Sequence, residues 1–329
     1  MSDEPADRLR ERSGRSTAVL YLLLDADRRL ITTGIVTLVF VATAGLSLVV
    51  PDAVVVLRET DSVDTAFQAL IGATVTGVTL VLTLNQLVLS QELGAVGDQR
   101  ERMDGAMTFR DDIRDLLGET PSAEPSAFLQ EIVEEIADRA TAVDESGPLD
   151  EDLESMLGGT VRNAELVSDR LDGASFGEFE VVRAALDFNY SWKLHVTRRA
   201  LDRDDLPEAT RESLESLAEA LRVFAPAREH FKTLYFQAEL IELSRTVLYA
   251  AVPALVVALG VVFYVDVGAF TGTLLGINTG VLLVSAAAAV VISPFAVLLS
   301  YVLRIATITG RTLSIGPFIL RGDGPEAGD

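Results

Sequence analysis

Cysteine is absent from the sequence, and lysine occurs only at Lys193 and Lys232. Without cysteine the chain can form no disulfide, no thiolate metal site and no thiol nucleophile. The phosphate-binding glycine loop and the Gly-x-Ser-x-Gly elbow are also missing. The two histidines, His195 and His230, have no second ligand at metal-binding spacing, so we interpret them as ordinary helix residues. The sequence therefore predicts no enzyme activity, no cofactor and no metal site.

Basic residues are also scarce relative to acidic ones: 27 Lys and Arg stand against 49 Asp and Glu, giving a formal net charge of -22. A surface with this charge repels itself in dilute buffer. In molar salt the Debye length shrinks to about 3 Å, and the repulsion largely vanishes. We therefore expect a protein of a halophilic archaeon, in which the acidity matches a cytosol rich in KCl. Nucleic acid is not expected as a partner, because no basic patch stands out.

Against this acidic background, nearly uncharged apolar windows are present at residues 31–50, 66–89, 247–265 and 281–301. An α-helix rises 1.5 Å per residue, so about 20 residues cross a hydrocarbon core of about 30 Å. Buried helices of soluble proteins have shorter apolar runs, which polar positions interrupt on every turn. The windows predict an all-α polytopic membrane protein with four transmembrane helices in the lipid bilayer.

Arginines next to these windows predict how the chain is threaded. They cluster before the first span, after the second, before the third and after the fourth, whereas the two short links contain only Arg58. By the positive-inside rule, both termini and the long middle segment are cytoplasmic, and the protein lies in the cell membrane. The predicted domains are a cytoplasmic segment 1–29, a transmembrane hairpin 30–92, a cytoplasmic helical bundle 93–243 inserted between spans two and three, a second hairpin 244–305, and a cytoplasmic tail 306–329.

Other segments allow more local predictions. The apolar stretch 18–24 precedes charged residues instead of a cleavage site, so we expect it to be retained, either on the membrane surface or on the bundle. Spans two and three are expected to continue into the bundle without a break. The stretch "FNYSWKLHV", residues 188–196, alternates like a strand but also fits one helix face. Helix is favoured, because an isolated strand has no partner for its backbone.

Small and polar residues form a continuous stripe along span two. On a helix, residues that step by four and then three share one face. Such steps connect Gly72, Thr76, Thr79, Thr83, Gln86 and Ser90. Asn85 is expected beside the stripe, near its inner end. This stripe is the candidate functional site of the chain.

The stripe has two interpretations, a helix-packing interface and the lining of a watery path. Small and hydroxylated residues let membrane helices approach closely, which favours packing. Gln86 favours water or a polar partner, because a carboxamide buried without one costs several kcal/mol. Both interpretations hold together if several copies assemble around an axis. In span four, Pro294 is the candidate kink or gate, because proline removes one hydrogen bond of the helix.

Two segments carry a resemblance to known proteins: "TLNQLVLSQELGAVGDQRERM" (Thr83–Met103) and "SIGPFIL" (Ser314–Leu320). With them the chain resembles a family of uncharacterised haloarchaeal membrane proteins, which implies the four-span topology and the source. A looser architectural likeness connects it to bestrophin-like four-span channel proteins, in which the second span lines a channel and leads into a cytoplasmic helical domain. Span two lacks the hydrophobic and aromatic neck of those channels, so the likeness does not extend to a gated anion pore.

Two functional hypotheses follow. In the first, the chain is a homo-oligomeric ion channel or pore in which span two faces the axis. In the second, it is a membrane-anchored scaffold or signalling adaptor, in which the spans only tether the cytoplasmic domain to the membrane and that domain binds another protein.

Overall fold

The structure is a computed structural model that describes residues 26–50, 54–55, 57, 61–92, 95–174 and 179–311. The predicted stretch 18–24 and the tail from residue 312 onward lie outside the described residues. The prediction of an all-helical fold is confirmed. The helices are α1 (Arg28–Leu46), α2 (Ser62–Glu92), α3 (Val96–Leu117), α4 (Pro125–Glu145), α5 (Glu151–Leu171), α6 (Phe179–Leu186), α7 (Tyr190–Leu201), α8 (Glu208–Tyr264), α9 (Thr279–Val291) and α10 (Ser293–Arg311).

The chain divides into two compact units. We call the first the polar unit; of the described residues it comprises 95–174, 179–238 and 309–311. The second, the apolar unit, comprises the described residues between 26 and 92 and those from 239 to 308. Helix α8 contributes its first part to the polar unit and its second part to the apolar unit.

The polar unit is a helical bundle with a core of large side chains. Helix α4 begins at Pro125, and the Glu124 side chain accepts a hydrogen bond from the Ala127 amide at 2.7 Å, which caps the helix. The apolar face of α4 is buried, and Leu129 and Ile132 on this face are 0% exposed. They pack in one cluster with residues of α3, α5, α6, α7 and α8. The helical periodicity of this segment thus specifies the buried face.

The ambiguous stretch 188–196 is helical from Tyr190 onward, but the helix is interrupted before that point. Helix α6 ends at Leu186 and α7 begins at Tyr190. Phe188 lies in the break, is 0% exposed, and its ring packs against Phe224 at a centroid distance of 5.0 Å. The Asn163 side-chain amide donates to the Asp187 carbonyl at 3.1 Å, so a carbonyl in the break has a hydrogen bond.

The two predicted continuations from the spans differ in outcome. Helix α8 is continuous over 57 residues, Glu208–Tyr264, as expected for the helix that contains the third apolar window. The same prediction for span two is wrong, because α2 ends at Glu92 and α3 begins only at Val96. Ala95 between them is extended, with φ -61° and ψ 155°. Gly94 and Gly97 flank this point, and glycine lowers helix stability by about 1 kcal/mol relative to alanine.

Among the described residues, three helices are long and apolar enough to cross a membrane: α1, α2 and α8. A fourth candidate is the pair α9 and α10, which is bent by 45° at its break. Helix α1 ends at Leu46, before the predicted boundary at residue 50, and α10 continues to Arg311, beyond the predicted boundary at residue 301. Within the apolar unit, α1 packs against α9, and α2 packs with α8, α9 and α10 in two apolar clusters.

A short hairpin precedes α9. Its strands, β1 (Thr273–Leu274) and β2 (Ile277–Asn278), pair antiparallel. The connecting residues Leu275 and Gly276 have φ values of 54° and 79°, as a two-residue hairpin turn requires. Asn278 then caps α9, because its Oδ1 accepts from the Gly280 amide at 2.8 Å.

Candidate functional site

Helix α2 has one face that packs against its own unit. The buried residues on this face recur at intervals of four or seven, which places them on one side of the helix. They are Val63, Phe67, Thr74, Val81 and Val88. Val81 packs in a cluster with Leu243 and Val247 of α8 and with Val297 and Tyr301 of α10. The packed face thus fixes the rotation of α2 about its own axis.

The predicted stripe lies on the other side of α2. All six residues, Gly72, Thr76, Thr79, Thr83, Gln86 and Ser90, are exposed. Thr74 and Thr76 are two positions apart in sequence, which corresponds to a rotation of about 200° around the helix axis. Thr74 therefore faces the bundle, and Thr76 faces away from it. The structure therefore brings the stripe residues together on one continuous surface, and no other described helix of the chain covers it.

The threonine hydroxyls of the stripe bond to their own helix. Thr76 donates to the Gly72 carbonyl at 2.8 Å, and Thr83 donates to the Thr79 carbonyl at 2.9 Å. Each hydroxyl oxygen keeps a free lone pair that can accept a further hydrogen bond. The Gln86 carboxamide makes no hydrogen bond within the described part of the chain. The stripe is therefore a row of hydroxyl acceptors that also contains one amide, at Gln86, available as donor and acceptor.

Asn85 does not lie beside the stripe. It is separated by four residues from Val81 and by three from Val88, so it belongs to the packed face. Its Oδ1 is buried and has no hydrogen-bond partner among the described residues. The sequence-based placement of this side chain was wrong, because Asn85 is adjacent to Gln86 in sequence but lies on a different face of the helix.

The bend at the candidate gate is a break between two helices. Ile292 separates α9 from α10, and its amide donates to the Ala288 carbonyl at 3.0 Å. Pro294 follows at the start of α10, where its missing amide hydrogen costs little. Next to the break lies a cleft of about 270 Å³. Its lining is formed by Leu70, Ala73, Thr74, Gly77, Val78, Val247, Val291, Ile292, Pro294, Phe295 and Leu298.

A model described as "Family of unknown function (DUF7972)" matches residues 1–327. The chain belongs to this family. No curated protein and no solved structure matches it. Membership in DUF7972 accounts for the whole length of the chain and brings no activity with it.

This DUF7972 protein also contains a charged cluster that periodicity did not predict. Arg28, the first residue of α1, forms an ion pair with Glu239 of α8 and stacks over the Tyr301 ring of α10 at 4.0 Å. Arg304 of α10 donates to the Ala26 carbonyl. The Arg28 and Glu239 side chains are only 16% and 10% exposed. The cluster connects α1, α8 and α10 through residues more than 200 positions apart in sequence, which local patterns do not reveal.

Metal binding has no visible support in the part of the chain that the structure describes. No group of three or more His, Cys, Asp and Glu side chains is arranged there to hold an ion. His195 and His230 are both exposed on helices of the polar unit. His195 stands beside the Trp192 ring at a centroid distance of 6.1 Å.

Proposed function

We propose that this DUF7972 protein is a homo-oligomeric membrane protein of a halophilic archaeon, with α2 around the central axis and its polar stripe lining a path for ions. The polar unit and both termini then lie in the cytosol. The observation that carries the proposal is the exposure of the whole stripe, from Gly72 to Ser90, on the face of α2 opposite its packed face.

A hydrocarbon environment makes this exposure informative. Exposed apolar side chains of the apolar unit, such as Leu38 and Val256, suit contact with lipid chains. The exposed Gln86 carboxamide does not, because a polar group without a hydrogen bond costs several kcal/mol in hydrocarbon. It requires water or a polar neighbour. Gly72 and the threonines of the same face allow a second copy of α2 to approach closely.

Assembly of several copies around an axis gives Gln86 access to water and lets neighbouring α2 helices approach closely. The stripe forms the contact between neighbouring copies at its edges and faces the axis at its centre. The hydroxyl oxygens, which keep free lone pairs, then provide acceptors for cations or water along the path. The stripe contains no charged side chain, so the path is expected to show weak ion selectivity.

Single cysteines test this arrangement, because the native chain has none. Thr79→Cys and Thr83→Cys in lipid vesicles are treated with a membrane-impermeant thiol reagent. Thiol reagents attack the thiolate, which forms in water and not in hydrocarbon. We expect both positions to react, whereas the control Val256→Cys, at a side chain 65% exposed on α8, stays protected.

Equal protection at the stripe and at Val256 would rule out the watery path. Disulfide cross-linking at Thr79→Cys provides the second readout, since copies that share an axis bring this position close to itself. Cross-linked oligomers without thiol-reagent access would reduce the stripe to a packing interface. A monomer in detergent at high KCl would exclude both.

The second candidate is the membrane-anchored scaffold, which the polar unit favours. Every residue of α3 from Val96 to Thr108 is exposed, including the apolar side chains of Met103 and Met107. The same unit has a cleft of about 510 Å³ with Asp112 and Arg139 in its lining. Under this hypothesis the polar unit binds another protein, the reconstituted chain conducts no ions, and Met103→Glu abolishes capture of the partner while Thr79→Val has no effect.

A further inference from the structure

We infer that the cleft at the break between α9 and α10 binds a lipophilic molecule with a hydrocarbon body and one oxygen that accepts a hydrogen bond from Thr74. The inference rests on the membrane placement of the proposed function but is independent of the stripe. The cleft lies on the packed side of α2, whereas the stripe lies on the other side.

Thr74 is the polar residue that points to a ligand. Its side chain lines the cleft, is only 8% exposed, and makes no hydrogen bond within the described part of the chain. Three other threonines of α2, Thr76, Thr79 and Thr83, behave differently, because each hydroxyl donates to a carbonyl of its own helix at 2.8–2.9 Å. A hydroxyl on a mostly buried side chain that lacks a hydrogen-bond partner costs free energy, so an acceptor oxygen in the cleft would satisfy it.

Water is a poor occupant of this cleft. A buried water needs two to four polar partners, and the side chains of the lining offer only the Thr74 hydroxyl. The Ile292 amide at the break already donates to the Ala288 and Val290 carbonyls. All other lining residues are apolar or glycine. The lining therefore selects a molecule that is almost entirely hydrocarbon.

Size and access restrict the ligand further. The volume of about 270 Å³ lies just below the usual range for small-molecule sites, so one alkyl chain or a similarly small body fits. Phe295 lines the cleft and is 57% exposed, so the cleft opens to the apolar surface of the unit. A lipophile dissolved in the membrane reaches it from there.

Binding is expected to stabilise the bend. The ligand would contact α2 through Thr74 and Val78 and the break through Ile292 and Pro294 at the same time. A ligand that binds the bent arrangement better than a straightened one shifts the equilibrium toward the bent arrangement.

Photolabelling with octanol that carries a diazirine tests the inference on the full chain in lipid vesicles. We expect saturable labelling of peptides that contain residues 70–78 and 291–298. Gly77→Phe places a ring in the cleft and should abolish this labelling; a Cβ on Gly77 meets nothing within 4 Å, so the first atom of the new side chain fits without a clash. Thr74→Val removes the donor. The octanol concentration needed for half-maximal labelling should rise by about 3- to 10-fold, which corresponds to the loss of one neutral hydrogen bond.

Two matched variants control for general effects. Gly34→Phe places the same side chain on α1, where a Cβ also meets nothing within 4 Å. Thr43→Val removes a hydroxyl that donates to the Val39 carbonyl at 2.8 Å. Neither should change labelling of the cleft.

Labelling of the lipid-facing surface of α8 distinguishes a failure of this inference from a failure of the proposed membrane placement. Labelling at residues 252–256 of α8 without saturable labelling of the cleft overturns the inference and leaves the membrane placement intact. Absence of label at both places overturns both. Labelling of the cleft that Gly77→Phe does not reduce also overturns the inference, because such a label reflects partitioning into lipid.

Discussion

The polar and apolar units differ in where their large apolar side chains lie. In the polar unit, large side chains such as Leu129 and Phe224 are 0% exposed. In the apolar unit, small residues such as Ala258 are 0% exposed beside a few large ones such as Phe67 at 1%, while Leu38 is 67% exposed. One chain thus combines a core of large buried side chains with a bundle that leaves many large apolar groups exposed.

With the apolar unit in a membrane and the polar unit in water, as proposed, the contrast follows from two different solvents. In water, transfer of large apolar side chains to the interior is the main driving force of folding. Between membrane helices this force is missing, because lipid chains are as apolar as leucine, so close packing of small residues takes its place. The apolar unit is then stabilised by close packing between helices, whereas the polar unit is stabilised by the apolar surface area that it removes from water.

The largest expected effect is at Leu129. Leu129→Ala should lower the free energy of unfolding of the polar unit by about 2–5 kcal/mol, the range for a buried leucine that leaves a cavity. The same change at Leu38, in the apolar unit, should stay within about 0.5 kcal/mol. Urea unfolding followed by circular dichroism in detergent measures both. Similar losses at the two sites would remove the contrast between the units.

The reverse substitution is expected to affect the apolar unit. Ala258 is 0% exposed and packs in a cluster with Val63 and Phe67 of α2. Ala258→Leu should therefore cost about 1–3 kcal/mol through overpacking. The control Val252→Leu, at a position that is 64% exposed, should leave the thermal unfolding midpoint in detergent unchanged. A tolerated Ala258→Leu would argue against stabilisation by fit.

Acid should act on the polar unit through Glu124. Partial burial alone would raise the pKa of this carboxyl, but hydrogen bonds from Ser126 and from the Ala127 amide outweigh it and lower the pKa. A lowered pKa in the folded state means that the stabilisation is present above about pH 4.3, the ordinary glutamate value, and is lost as pH falls through the folded-state pKa.

Glu124→Gln should remove this acid dependence and cost at most about 1 kcal/mol at neutral pH, the usual value of a helix cap. The exposed Glu101 of α3 provides the control as Glu101→Gln. Unfolding midpoints in urea between pH 3 and pH 7 measure the slope. An unchanged slope in Glu124→Gln would show that the cap does not titrate as expected.

The smallest effect is expected for the stripe. Thr79→Val should hardly change the stability of a single chain, because the hydroxyl bonds only its own helix. Between copies, one polar contact in a membrane contributes about 0.6 kcal/mol, so the oligomer should dissociate about threefold more readily. Analytical ultracentrifugation in detergent compares it with Thr43→Val on α1. Equal behaviour of the two variants would place the stripe outside the contact between copies.

Periodicity predicted the helices well where one face is buried. The stripe from Gly72 to Ser90 and the apolar face of α4 around Ile132 both follow from steps of three and four. The break at Phe188 was not predictable, because residues on both sides fit one helix face. It depends on a ring that packs against Phe224, a contact between segments distant in sequence.

The candidate site was predicted only in part for the same reason. Sequence gives the order of residues around α2 but not the rotation that the neighbouring helices select, so the burial of Thr74 and the isolation of Asn85 appear only in the structure. The cleft could not be anticipated, since it requires α2, α8 and the break at Ile292 together.

The contact between Arg28 and Glu239 suits the proposed setting of the protein in concentrated salt. Dissolved salt weakens open ion pairs such as Arg100–Asp104, whose side chains are 84% and 71% exposed. Counter-ions reach an enclosed ion pair far less. The Arg28–Glu239 pair therefore keeps its strength at high salt, where exposed ion pairs are weakened. Dialysis into a buffer without salt should therefore destabilise the polar unit through repulsion between its acidic residues. The ion pair between α1 and α8 should remain formed.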